Sequence, residues 1–302
     1  MNSRPASLVA ALGLALCACG NYSNDDLDFQ LALPEQGDIE AKLQLSVNRP
    51  GTAAYYRDTR DAVAAFNAMV DKLTGLIDRV RGNVPTSRNG DERTWGPWPA
   101  ENHPDWRVRV VMRRSTVSDT QLRIDYSVQV SPQGAADSTW VSFLTGWYVS
   151  GGSARIGQGE IHLFVDDVRA AGFPVDDDPG LVNLQRLDVT YANDGFPVTV
   201  TLDIAKLKDT ATESLHYEYR QQVDGAGQMS FDWQGLSDAG TPIAARMQAQ
   251  WIGSGAGRAD LILDPTGSPT ILGTDCWGVD AMATYSYRLN GAVEGDPASC
   301  LF

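Results

Sequence analysis

Between residues 106 and 130 the chain changes polarity at almost every step. Trp106, Val108, Val110 and Met112 alternate with Arg107, Arg109 and Arg113. After a polar turn, Leu122, Ile124, Tyr126, Val128 and Val130 alternate with Gln121, Arg123, Asp125, Ser127 and Gln129. A period of two with one apolar side predicts two half-buried strands. A turn centred near Ser118 places Val110 opposite Tyr126 and keeps the apolar residues on one face.

The same pattern continues to the C-terminus. Residues 140–149 are aromatic on both sides, and 156–165 alternate, with Gly157 and Gly159 marking a bend or a close backbone approach. Runs at 187–191 and 198–204 flank Asn193-Asp194-Gly195, a strong hairpin turn. Runs at 215–223 and 229–233 flank 224–227, runs at 243–251 and 259–263 flank 253–257, and 281–289 ends the series. The expectation is a mainly β fold, an antiparallel meander of about 10–12 strands. Only 166–183 is long enough to cross over.

One stretch has a different period. Val63, Phe66, Val70, Leu73, Ile77 and Val80 step by three and four, which predicts an amphipathic helix of roughly 28 residues over about 52–81. Thr52 is its expected N-cap, Gly82-Asn83 its C-cap, and Arg57 and Asp61 an ion pair on its surface. Upstream, Leu27, Phe29, Leu31, Leu33, Ile39, Ala41, Leu43, Leu45 and Val47 suggest one or two strands, with a short helix at 39–45 as the alternative. Residues 83–105 read as a Pro/Gly-rich link that lays Trp95 and Trp98 against the start of the sheet.

Ten strands at a spacing of about 4.8 Å make a sheet about 48 Å wide, and one helix covers about 10 Å of it. The sheet is therefore expected to curl into an open or closed barrel, or to fold into a sandwich. Short sequential turns favour the curl, with the helix packed on it.

Composition adds an address. The chain has 302 residues, 43% hydrophobic, with a net charge of −14, which supports a core and argues against nucleic acid as a partner. Arg4 and the apolar run at 8–16 form a signal-like start, too short to span a bilayer. Leu16-Cys17-Ala18-Cys19-Gly20 resembles the lipobox of bacterial lipoproteins. The resemblance implies a signal peptide over 1–18, a palmitate-type lipid on Cys19, a tether over 19–26 and one β-rich domain over 27–302. It places the protein in the cell envelope, lipid-anchored, at the outer membrane and facing the periplasm or the cell surface. Arg93-Thr94-Trp95-Gly96-Pro97-Trp98 looks like a box found in uncharacterised bacterial lipoproteins, and it carries no activity with it. The expected architecture looks like lipid-binding open-barrel lipoproteins. With Cys17 removed and Cys19 acylated, Cys276 and Cys300 remain to form one disulfide in an oxidising compartment.

No catalytic constellation emerges, so no enzyme, cofactor or metal is expected. His103, His162 and His216 have no metal-ligand spacing, and Gly151-Gly152-Ser153-Ala154-Arg155 fails the nucleophile-elbow pattern. Gly253-Ser254-Gly255-Ala256-Gly257 lacks the Lys-Ser/Thr of a phosphate loop. Asp176, Asp177 and Asp178 read as a solvated loop, with calcium as the alternative. Arg107, Arg109, Arg113 and Arg123 share one face; they either pair with neighbouring acids or meet anionic lipid headgroups. Val110, Tyr126, Phe231 and Met247 on the strands, with Phe66 and Leu73 on the helix, are candidates to face a hydrophobic ligand. Two functions follow: a lipid or hydrophobic-ligand binder, or a structural or interaction lipoprotein with a filled core that binds an envelope protein.

Overall fold

A computed structural model describes residues 23–43, 50–77, 80–118, 121–153, 155–178, 180–208, 211–237 and 239–300. The expected signal peptide, Cys19 and the first part of the tether lie outside these residues. Among the described residues there are four α-helices: α1 (Asn24–Leu31), α2 (Gln36–Ile39), α3 (Ala54–Ile77) and α4 (Val165–Ala170). Fifteen strands make one sheet. They are β1 (Ser87–Asn89), β2 (Glu92–Ala100), β3 (His103–Ser118), β4 (Gln121–Pro132), β5 (Val141–Ser153), β6 (Ile156–Phe164), β7 (Leu184–Ala192) and β8 (Val198–Lys208), followed by β9 (Ala211–Gln221), β10 (Gly227–Leu236), β11 (Pro242–Trp251), β12 (Gly257–Leu263), β13 (Thr270–Trp277), β14 (Ala283–Arg288) and β15 (Val293–Gly295).

Every strand pairs antiparallel with its sequence neighbour, so strand order equals chain order. Among the described residues β1 and β15 do not pair, and the sheet does not close into a barrel. The strand count is therefore 15, not 10–12. The residues read as a link contain β1 and β2, and 270–277 is a further strand that the hydrophobic pattern did not mark. The 166–183 connection does not cross over, because β6 and β7 are adjacent. The hairpins after β9, β10, β11, β13 and β14 share one turn. In each, an N–H from Gln222, Ser237, Ile252, Gly278 or Arg288 donates to the carbonyl four residues on. The residue before that carbonyl, Gly225, Gly240, Gly255, Ala281 or Gly291, has a φ between 61° and 93°.

The first hairpin keeps its parity but not its register. Val110 faces Val128, and Met112 faces Tyr126, two residues from the expected pairing. The ladder extends to Ser118 opposite Gln121 and contains an irregularity at Thr116/Ser118, which moves the turn beyond Ser118. An even shift leaves every side chain on its original face.

Residues 24–31 and 36–39 are helical where strands were expected, and Leu45 and Val47 of that expectation lie outside the described residues. Ser23 and Asp26 form a capping box, so α1 begins inside the residues assigned to a tether. Phe29 and Leu33, four apart, are buried, while Leu27 and Leu31 are exposed: the helical period wins over the alternation. α2 covers Gln36–Ile39 in place of the helix considered at 39–45. α3 spans 24 residues, not the roughly 28 expected over about 52–81. Thr52 lies two residues before α3 and bridges Met282, and the first turn of α3 is held by Asp275 of β13, which accepts the Tyr55 N–H at 2.8 Å. Asp61 pairs with Arg60.

These pieces lie along one face of the sheet. Asp26 bonds Arg88 and Arg93 beside β1 and β2. Lys42 N–H donates to the Tyr219 hydroxyl on β9. Tyr56 stacks edge-on against Trp277 of β13, and Phe66 lies against Tyr217 of β9. The chain thus runs from β2 out to β13 and returns, and Trp95 Nε1 of β2 donates to the Asn83 carbonyl. This strap, and not barrel closure, covers the apolar face.

Small residues let aromatic side chains lie flat on that face. A Cβ on Gly146, Gly159, Gly227 or Gly257 would strike the ring of Tyr126, Tyr191, Trp251 or Trp277 on the adjacent strand. This cross-strand packing accounts for Gly159, and Tyr148 covers Gly157 in the same way.

Candidate functional site

The two faces of the sheet differ in chemistry. On the outer face, arginines and carboxylates are paired within the sheet. Arg123 bonds Asp125, Arg186 bonds Asp188, Arg220 bonds Glu218 and Arg258 bonds Asp260, each two residues apart on one strand. Arg246 grips Asp232 across β10 and β11 through two bonds of 2.5 and 2.6 Å. Residues i and i+2 of a strand point the same way, so this spacing neutralises charge locally.

The four arginines of the expected basic stripe are all on this face, and each is engaged. Arg107 and Arg109 lie over the Trp140 ring at 4.7 and 4.2 Å. Arg109 also bonds Gln129, and Arg107 donates to the Ala135 carbonyl. Burial, with Arg107 beside it, lowers the Arg109 pKa despite Asp137 nearby. Arg113 bonds Glu92, and Arg123 lies over Trp147 at 4.6 Å.

One cross-strand row on this face runs His162, Asp188, Asp203, His216, Asp232 and Arg246, from β6 to β11. His162 Nδ1 is 2.6 Å from Asp188, and His216 Nδ1 is 2.6 Å from Asp203. A cavity of about 360 Å³ lies over Asp188, Asp203, His216 and Asp232. It shares Ser214 and Gln234 with a second of about 680 Å³, and a third of about 330 Å³ opens beside Arg113, Asp125 and His162. The histidines expected at solvated strand positions are thus hydrogen-bonded to acids. His103 packs edge-on against Phe173. In the acidic loop Asp176 goes to Arg169 and Asp178 accepts the Gly180 N–H. Among the described residues no group of three or more His, Cys, Asp or Glu is arranged to hold a metal.

The inner face divides the six candidate ligand-facing residues. Phe66, Leu73, Val110 and Tyr126 are all at most 2% exposed and belong to one continuous core. Burial raises the Tyr126 pKa far above its ordinary value. Phe231 and Met247 are only half-buried. With Leu215, Trp233 and Leu261 they form an apolar shelf at the far end of β9–β12, away from the strap. The sequence marked two of these residues but not the shelf itself.

Cys276 and Cys300 are joined, with Cα atoms 5.4 Å apart. Compared with known proteins, the chain matches no family model, no curated protein and no solved structure.

Proposed function

We propose that the protein is an exported lipoprotein of the cell envelope, anchored through Cys19, whose sheet is a scaffold for a protein partner and whose interior is filled by its own side chains. The carrying observation is the near-complete burial of Phe66, Leu73, Val110 and Tyr126, the residues an enclosed ligand would have to touch. A site for a small apolar ligand normally keeps a concavity of several hundred Å³ between such residues. The cavities at Asp188, Gln234 and Asp125 lie over the polar outer face. On that face Arg113 and Arg123 bond acids and Arg107 and Arg109 are held by Ala135, Gln129 and the Trp140 ring, which weakens the headgroup reading of all four.

Two measurements test the proposal. Cys19→Ser should release the protein from membranes in soluble form. That soluble protein should carry no co-purified lipid by mass spectrometry and show no saturable uptake of a fluorescent fatty acid. Saturable uptake would restore the carrier reading.

A further inference from the structure

The inner face is covered unequally along the bottom of the sheet, the end where β3, β5, β7, β9 and β11 begin. Over β3–β8 this lane is filled by the 165–184 connection. Val165, Val168 and Val175 are buried there, and Phe173 packs on Trp106 and Phe143 at 5.3 and 6.0 Å. The connection runs beside α3, with Gly180 against Lys72. Over β9–β12 the lane continues as Leu215, Phe231, Trp233, Met247 and Leu261, ending in Leu263 at 38% exposure. There the strap lies over the other end of the strands, where Tyr219 accepts the Lys42 N–H, Asp275 accepts the Tyr55 N–H and Met229, Ala249 and Ala259 are buried, and Phe66 of α3 reaches the edge of the lane at Tyr217.

We infer that this open lane is a docking site for a short amphipathic helical segment of a partner protein, lying beside the N-terminal half of α3 as 165–184 lies beside its C-terminal half. The inference rests on the filled-interior reading above and names its partner surface. The molecule itself supplies the template: a short helix with valines three apart, followed by an aromatic side chain, already satisfies the neighbouring stretch of the same lane.

Size favours the same occupant. Four strands span about 14 Å, the length of roughly 10 helical residues. A lane about 12 Å deep offers on the order of 170 Å², well short of the roughly 800 Å² per partner of a stable dimer. A flat shelf also leaves one side of an acyl chain in water, whereas ligand sites bury roughly 70–90% of their ligand. The net charge of −14 favours a partner helix with basic residues flanking its apolar stripe.

The test uses the full chain carrying Cys19→Ser and a fluorescent 14-residue peptide with Leu and Phe at helical spacing and Lys elsewhere. Anisotropy should show saturable binding, weakened at least tenfold by Met247→Asp and by Leu261→Asp and unchanged by Gln248→Asp on the outer face. A scrambled peptide of the same composition should not bind. Cooperative melting of each variant confirms that it is folded. No saturable binding, or equal binding by Met247→Asp and the parent, overturns the inference. So does a dimer in sedimentation that Met247→Asp dissociates, which would make the occupant a second copy. Binding of phosphatidylcholine vesicles but not peptide, lost in the same variant, would assign the lane to lipid. Fatty-acid uptake that Met247→Asp leaves intact would instead refute the filled interior, so the two readings fail separately.

Discussion

The strands β4 and β7 and the strands β10 and β11 follow the same alternation, yet they end in different states. Along β4, Ile124, Tyr126, Val128 and Val130 are all buried, and along β7 so are Leu184, Leu187, Val189 and Tyr191. Along β10 only Met229 is buried, and along β11 only Ala249 and Trp251. The difference lies in what covers the sheet. The first pair lies in the half that the 165–184 connection covers in addition to the strap, the second under the strap alone. Binary patterning selects a face, and burial then depends on how much chain is available to cover it.

The largest contrast comes from placing one charge in each region. Leu73→Asp buries a carboxylate in the filled core, where Leu73 is 1% exposed, and should cost more than about 5 kcal/mol. The expected result is loss of the cooperative thermal transition. A folded Leu73→Asp protein would mean that the covered half is looser than described.

Next is the clip that ties the strap to the sealed half. Burial by itself would raise the Asp26 pKa, but bonds from Arg88, the Ser23 backbone, Arg93 and the Ser23 hydroxyl outweigh it and hold the carboxyl well below the usual range. A depressed carboxylate contributes stability that is fully present above its unfolded value of about 3.9 and is lost as pH falls toward the folded value. Asp26→Asn should therefore cost about 3 kcal/mol at pH 7. In urea melts the gap to the parent protein should narrow below about pH 4. A gap of the same size at pH 3 would rule out an ionic origin.

Uncovering the sealed lane should be milder. Phe173→Ala removes a half-buried ring from Trp106 and Phe143 and should cost about 2 kcal/mol. It should also raise binding of a dye that reports exposed apolar surface, making this half resemble the other. The smallest effect belongs to Met247→Asp, already half in water, at less than about 1 kcal/mol. A loss near that of Leu73→Asp would show that the shelf is part of the core.

The sequence displayed the central strands clearly and the ends poorly. Most strands from β3 to β12 follow a plain alternation, whereas β5 is aromatic on both sides. In β2, Gly96 and Pro97 interrupt it, although Trp95 is fully buried. β13 carries Gly273 and Asp275 on its inner face, and Asp275 is there because it receives the helix N–H, a partner 220 residues away. α1 was masked by its exposed Leu27 and Leu31, although the Ser23–Asp26 capping spacing was visible. The outer-face pairs could have been found by searching predicted strands for opposite charges two residues apart. The shelf could not, because the apolar pattern is the same on covered and uncovered strands.

The hydrogen bond from Tyr55 to Asp275 also bears on the order of assembly. Each strand pairs with its sequence neighbour, so the ladder can zip locally and quickly. The strap is made first, but its seating is complete only after β13 exists. During synthesis the start of α3 therefore waits for almost the whole chain, and through that interval the inner face beyond the 165–184 connection is incompletely covered. The step that closes this window is the docking of an early-made helix onto one of the youngest strands.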